Sequence, residues 1–140
     1  MEQRTAALTP NEIADLEAKR GWVRDHYDQS AQDKYACVEG KLRLLDAILR
    51  GNWISADETL KLPCLGVTFG DALARQSGLS WVAVDDERGR DPALMVEGGS
   101  LRVFPLTSIA KRVERGEDVD VHALFEDACE TIKRIQAEGT

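Results

Sequence analysis

The feature that most constrains the fold is a change in the spacing of apolar residues along the chain. Before residue 80 and after residue 105, apolar residues recur every three or four positions, which is typical of amphipathic helices. Between 81 and 104 they form short runs separated by turn residues, which indicates strands. Strands grouped between runs of helices favour an α+β fold over a parallel sheet with alternating helices.

The helical spacing predicts five helices. Their expected spans are one beginning at Thr9, then 34–50, 55–76 and 105–115, and one beginning after Asp118 or Asp120. Thr9 and Glu12 have the spacing of a capping box at the first helix. Pro63 either delays the start of the third helix or kinks it, since proline lacks the N–H that a helix interior needs. Gly66, Gly70 and Ala74 form a smooth strip on this helix and predict close packing inside the domain.

The central stretch predicts three strands, at 81–84, 93–96 and 101–104. The short turns between them indicate a three-stranded antiparallel meander. The expected order is α-α-α-β-β-β-α-α, with the helices packed around the sheet. The length of 140 residues fits a single domain covering 1–140, with flexible termini at 1–8 and 137–140.

Composition narrows the classes of function. The formal net charge of −7 disfavours a nucleic-acid partner, because a phosphate backbone would be repelled. No apolar run approaches the ~20 residues that span a membrane. Three cysteines, at 37, 64 and 129, show no metal-ligand spacing and suit free thiols in a reducing cytoplasm. The sequence therefore predicts a cytoplasmic protein without a metal or other cofactor.

The candidate binding site with the highest charge density is the turn between the first two strands. Its candidate site residues are Asp85, Asp86, Glu87, Arg90 and Asp91. Clustered carboxylates can bind a divalent cation or, when desolvated, act as an acid and a base. The alternative is a solvated polar turn, which is the commoner state of such a cluster.

Three weaker candidates complete the set. Asp71 lies on the third helix and would border any pocket between helices and sheet. Cys64 would gain a lowered thiol pKa at a helix N-terminus and would need a base such as His122 to act as a nucleophile. A basic cluster on the fourth helix could dock an anion, and it consists of Lys111, Arg112 and Arg115.

Four stretches of the sequence resemble a bacterial family known only as a domain of unknown function. They are Gly40–Asp46 (GKLRLLD), Leu65–Leu73 (LGVTFGDAL), Trp81–Leu94 (WVAVDDERGRDPAL) and Phe104–Glu117 (FPLTSIAKRVERGE). The resemblance covers the chain from about Gly40 to Phe125 and implies a stand-alone cytoplasmic bacterial domain. It implies no activity, cofactor or catalytic residue, so none is assigned to any position here.

Two functional hypotheses follow from the sequence. The favoured one is a non-enzymatic protein-binding module, such as an immunity, antitoxin or adaptor protein, whose acidic surface contacts a basic partner. The other is a small enzyme or a ligand- or metal-binding domain that uses the loop 85–91, Asp71 or Cys64. A pocket lined by convergent polar groups with shifted pKa values would favour the second hypothesis. The sequence leaves a homodimer open.

Overall fold

The computed structural model describes residues 4–27, 29–51, 61–87, 89–96 and 101–138. Within them lie five α-helices, two short 3₁₀ helices and one three-stranded sheet, which confirms the predicted α+β class. The α-helices are α1 Pro10–Arg24, α2 Val38–Arg50, α3 Leu62–Ser77, α4 Ser108–Glu114 and α5 Val121–Glu138. The strands are β1 Arg4–Ala6, β2 Ser80–Asp86 and β3 Gly89–Met95, and the 3₁₀ helices are Gln29–Ala36 and Pro105–Thr107.

Helix ends follow the capping chemistry of the sequence. The Thr9 hydroxyl accepts a hydrogen bond from the Glu12 N–H, and the Glu12 carboxylate accepts one from the Thr9 N–H, which confirms the capping box. Of the two candidate caps of α5, the structure selects Asp120, whose carboxylate accepts from the Ala123 N–H at 3.1 Å.

The second helix begins later than predicted. Residues 34–36 belong to a 3₁₀ helix, and α2 begins only after Cys37, whose extended backbone interrupts the helical path. In the described part of the chain α3 begins at Leu62, with Pro63 in its first turn, where a missing N–H costs no hydrogen bond. The predicted start at residue 55 lies in the segment 52–60, outside the described residues.

β2 is the central strand of the sheet, and both of its neighbours run antiparallel to it. On one side the hairpin with β3 places Trp81 opposite Leu94. On the other side β1 places Thr5 opposite Val84. The sheet therefore joins the beginning of the described chain to its middle.

The third strand comes from a different segment than the sequence predicts. Residues 101–104 contribute one antiparallel bridge, in which Val103 and Leu94 exchange backbone hydrogen bonds of 2.8 and 3.0 Å. The pairing stops there because Pro105 follows, has no N–H to donate, and turns the chain onto α3. The strand that completes the sheet, residues 4–6, lies within the segment 1–8 for which the sequence predicts flexibility.

Helix α3 is the centre of the packing, in contact with α1, α2, α4 and α5. Its side chains Leu65, Phe69 and Leu73 are almost fully buried. Burial of each contributes about 1.5–3 kcal/mol. This apolar face fixes the position of α3, and with it the position of the polar residues farther along the same helix.

The small residues of α3 permit close approach of the chain that follows the sheet. A Cβ on Gly66 would lie 2.4 Å from the Leu106 Cα, and one on Gly70 would lie 2.7 Å from the Trp81 ring. Such distances are far below van der Waals contact. The close packing predicted from this strip is therefore confirmed. No helix in the described ranges combines the length and the apolar character needed to cross a lipid bilayer.

Candidate functional site

A pocket of about 390 Å³ opens between the first three helices and the 3₁₀ helix Gln29–Ala36. This volume is within the range of small-molecule sites, roughly 300–1,000 Å³. Its lining residues come from five segments of the chain and are mostly polar or charged. They are Arg20, Tyr35, Lys41, Asp71, Ala74, Arg75 and Leu79. Of these, the sequence analysis named only Asp71 as a candidate.

Asp71 connects three elements through its carboxylate. Arg20, from α1, donates from Nε to Oδ2 at 2.5 Å and from Nη2 to Oδ1 at 2.9 Å. The indole N–H of Trp81, from β2, also donates to Oδ1 at 2.9 Å. The two-pronged contact with Asp71 raises the pKa of Arg20 further above its ordinary value. Asp71 therefore ties α1 and β2 to α3, and most of its capacity to accept hydrogen bonds is already used.

Lys41 is a buried cation at the start of α2, with 8% of its surface exposed. Its ammonium group donates to the backbone carbonyl of Tyr35 at 2.6 Å and lies 4.8 Å from the centroid of the Tyr35 ring. No ion pair formed among the described residues includes Lys41. Burial lowers the pKa of Lys41, because the charged form loses hydration. Its positive charge thus lacks a direct carboxylate partner.

The phenol of Tyr35 adds a neutral polar group to the wall. Its oxygen is 2.7 Å from the hydroxyl oxygen of Thr68, and both residues are buried. Burial raises the pKa of Tyr35 to about 12, so the phenol stays protonated at neutral pH. Tyr35 can therefore donate or accept a hydrogen bond but does not bring a negative charge into the pocket.

The lining of the pocket is positively charged. Arg20, Lys41 and Arg75 supply three cations and Asp71 one carboxylate, which leaves a formal charge of +2. Counting Glu17, which accepts from Arg20 Nη1 at 2.7 Å outside the pocket, still leaves +1. The chain as a whole carries −7. A local positive pocket in an acidic protein attracts small anions.

The acidic loop does not form a comparable site. Asp85 and Asp86 lie in β2 and Arg90 and Asp91 in β3, so neighbouring side chains point to opposite faces of the sheet. Glu87 lies in the turn between the strands. In the parts of the chain that the structure describes, no group of three or more His, Cys, Asp or Glu side chains is placed to hold a metal ion.

One residue of this loop has a clear structural role. The Arg90 guanidinium donates from Nε and Nη2 to the two carboxylate oxygens of Glu12, both at 2.9 Å. A further bond runs from Nη2 to the Ala7 carbonyl at 3.2 Å. The hydrogen bond from Arg90 is the largest cause that lowers the pKa of Glu12 to about 2. Arg90 therefore fastens the hairpin to the beginning of α1.

Cys64 differs from the reactive thiol that the sequence allowed. It lies near the N-terminus of α3, but it is buried. Burial raises the pKa of the Cys64 thiol, and this desolvation exceeds the lowering expected from the helix end. The Nε2 of His122, the proposed base, lies 3.1 Å from the carboxylate of Glu39.

The basic cluster lies on and just after α4. Lys111 and Arg115 are exposed, and Arg115 lies 3.8 Å from the Glu117 carboxylate. Arg112, in the last turn of α4, is partly buried. None of its three residues lines the pocket between the first three helices.

The sequence did contain a signal for the residues that the analysis missed. Lys41 lies three positions after Val38 and four before Leu45, and it therefore occupies the apolar face of α2. Arg20 lies four positions after Leu16 and three before Val23 on the buried side of α1. A cation at a core-facing position must find a partner or line a cavity.

Three comparisons with known proteins bear on this chain. Residues 41–125 match the family model described as a domain of unknown function, DUF3806. That stretch is more than half of the chain. The chain belongs to the DUF3806 family. The DUF3806 match begins at Lys41 and includes Asp71 and Arg75, whereas Arg20 and Tyr35 precede it.

The other two comparisons concern the fold and the curated relatives. A solved crystal structure from Bacteroides thetaiotaomicron VPI-5482 is similar, with a TM-score of 0.72 at 15% identity. The similarity covers 91% of the DUF3806 chain and 47% of the other chain, so this chain spans about half the length of the solved one. At this identity the likeness shows a shared fold. The comparison with curated proteins found no match.

Proposed function

We propose that this DUF3806 chain is a ligand-binding domain that takes a small anionic molecule in the pocket lined by Arg20, Lys41 and Arg75. The observation that carries the proposal is the convergence of three cations on one open cavity, in which the described lining residues include one carboxylate. That carboxylate, Asp71, is already bound by Arg20 and Trp81. A bound anion would supply the missing negative charge.

The state of Lys41 supports this proposal. A buried ammonium without a carboxylate partner raises the free energy of the folded protein, because its hydration is only partly replaced by one carbonyl. An anion bound beside it would offset that cost. The same charge therefore destabilises the empty pocket and favours a filled one.

The pocket also meets the criterion that separates the two sequence hypotheses. Its polar groups converge, and the pKa values of Arg20, Tyr35 and Lys41 are shifted. The protein-binding role of the acidic surface stays a prediction, and none of the contacts described above supports it over the pocket. The geometry supports the ligand-binding hypothesis better, through the pocket that Asp71 borders and not through the loop 85–91.

Thermal unfolding in the presence of small anions tests the proposal. Acetate, succinate, inorganic phosphate and citrate would each be titrated against sodium chloride at equal ionic strength. At a concentration of a hundred times Kd, a ligand that binds only the folded state adds about 2.7 kcal/mol to the free energy of unfolding. We expect at least one of these anions to raise Tm well above the chloride control.

Three variants show whether the effect comes from the pocket. Lys41→Met and Arg75→Ala should each lose most of the anion-induced rise in Tm. Arg115→Ala, which removes an exposed cation from the basic cluster after α4, should keep it. If no anion stabilises the wild-type protein beyond chloride, or if all three variants respond as the wild type does, the proposal is wrong.

A further inference from the structure

We infer that the ligand of this pocket is a small organic dianion, with one negative group bound by Lys41 and the other by Arg75. This inference rests on the proposed function and specifies its ligand class. It depends on which of the charged groups around the pocket are already satisfied by the protein. We call Arg20 and Asp71 the closed pair, because they form an ion pair with each other. We call Lys41 and Arg75 the open cations, because no ion pair among the described residues includes either of them.

Arg20 and Asp71 form the closed pair. Arg20 has five N–H groups, and three of them donate to carboxylates, two to Asp71 and one to Glu17. Asp71 accepts three hydrogen bonds, the third from Trp81. The charges of Arg20 and Asp71 cancel, and the pair holds the wall of the pocket in place. Neither residue therefore needs a charged ligand to neutralise its charge.

Lys41 and Arg75 are the open cations. No ion pair among the described residues includes either of them, and each lines the pocket. They project from two different helices, Lys41 from the start of α2 and Arg75 from the end of α3. A monoanion bound to one would leave the other unpaired, whereas a dianion neutralises both.

The two sites also differ in solvation. Lys41 is buried, while Arg75 is exposed. One negative group would thus be desolvated against Lys41 and Tyr35, and the second would meet the guanidinium of Arg75 near the opening. The same pocket is also lined by Ala74 and Leu79, whose apolar side chains suit a short carbon chain. A dicarboxylate or a phosphate monoester has this chemistry.

Calorimetric titration with a matched pair of ligands tests the inference. Succinate and succinamate have nearly the same shape, but the second carries one charge because an amide replaces one carboxylate. Glycerol phosphate forms a third arm, at a pH above its second pKa of about 6. We expect succinate or glycerol phosphate to bind at least about tenfold more tightly than succinamate, a difference of about 1.4 kcal/mol. Whichever of the two dianions binds more tightly identifies the source of the charge, carboxylate or phosphate.

The variant Arg75→Gln shows where the second charge binds. Because Arg75 is exposed, its replacement should leave folding unchanged, while the affinity for the dianion falls to that for succinamate. The indole N–H resonance of Trp81, which reports on Asp71, should shift on titration and so localise the binding. The Arg115→Ala variant serves as the matched control.

The outcomes separate the two proposals. If neither succinate nor glycerol phosphate binds more tightly than succinamate, the dianion inference is overturned, and the anion-binding function is left intact. An unchanged preference for dianions in Arg75→Gln would overturn the assigned position of the second charge. The absence of binding by succinate, succinamate and glycerol phosphate, together with no stabilisation by any anion in the thermal assay, would overturn both.

Discussion

The acidic hairpin and the cationic pocket are both charged regions, but they are built in opposite ways. The hairpin collects its charges within the seven positions 85–91, and the sheet then spreads them over two faces and two strands. The pocket draws Arg20, Lys41 and Arg75 from three helices that are far apart in sequence. The clustering of charges in a sequence therefore does not predict which charges meet in one pocket.

Solvation explains why this difference matters. An exposed carboxylate of the hairpin, such as that of Asp91, keeps much of its water, so a neighbouring charge changes its free energy only slightly. Lys41 has lost most of its water and has one carbonyl oxygen in return. Buried charges without partners are costly, and proteins retain them mainly where a ligand or a reaction needs them. The following predictions test this contrast between the two regions.

The largest loss of stability should come from a substitution at Gly66 of α3, compared with one at Gly89 of the hairpin. Gly66→Ala forces a Cβ to within 2.4 Å of the Leu106 backbone and must separate α3 from the segment 105–107. We expect a loss of about 3 kcal/mol or more in the free energy of unfolding, measured by urea denaturation. Gly89→Ala in the hairpin has open space around it, and only its φ of 118° is unfavourable. It should cost about 1–2 kcal/mol. Equal losses would mean that α3 is not tightly packed at Gly66.

The next largest loss of stability should come from replacing Asp71, a carboxylate that borders the pocket, compared with replacing Asp85, a carboxylate of the hairpin. Asp71→Asn removes the carboxylate that Arg20 binds through two N–H groups and leaves Arg20 paired with Glu17 alone, in a site where the side chains of Asp71 and Arg20 are 14% and 24% exposed. We expect a loss of about 2 kcal/mol, since a hydrogen bond to a charged group contributes roughly 1.5–3 kcal/mol. Asp85→Asn, on the strand β2, should stay within about 0.5 kcal/mol of the wild type. Urea denaturation of both variants under the same conditions measures the two losses. If Asp85→Asn lowers the free energy of unfolding more than Asp71→Asn does, the expected difference between the two regions is wrong.

Most of the fold could be predicted from the sequence because it depends on local rules. The capping box of Thr9 and Glu12 and the close approach at Gly66 and Gly70 follow from the residue types alone. The identity of the third strand could not be predicted in this way, because the pairing of residues 4–6 with β2 joins segments about eighty positions apart. No local pattern records such a contact.

The candidate site was predicted less well, for the same reason. Only Asp71 was named, and its partners Arg20 and Trp81 come from α1 and β2. The position of Lys41 on the apolar face of α2 was a usable signal. Which cations meet in one cavity depends on how three helices pack, and a single sequence does not specify that.

A smaller effect should appear in the alkaline range and report on the pocket. The pKa of Lys41 is lowered in the folded state, so between that value and its unfolded value the unfolded chain binds more protons. The contribution of Lys41 to the free energy of unfolding should therefore rise with pH in this window. Lys41→Met should remove that rise. Denaturation curves up to pH 10 give the comparison, because above pH 10 the raised pKa of Tyr35 acts in the opposite direction. Parallel curves for both proteins would show that Lys41 is fully hydrated.

The smallest effect should appear in the acid range and report on the hairpin. The folded pKa of Glu12, about 2, lies below its ordinary value of 4.5, so the stabilisation by its carboxylate is complete above pH 4.5 and is lost as the pH falls toward 2. Glu12→Gln should lack this loss, while the glutamine can still accept the Thr9 N–H and preserve the cap. The difference in the free energy of unfolding between the two proteins should therefore shrink from pH 5 to pH 2. High salt should also reduce this difference at pH 5, because the ion pair of Glu12 with Arg90 is accessible to ions. If the difference is the same at pH 5 and pH 2, the contact between Arg90 and Glu12 does not fasten the hairpin to α1.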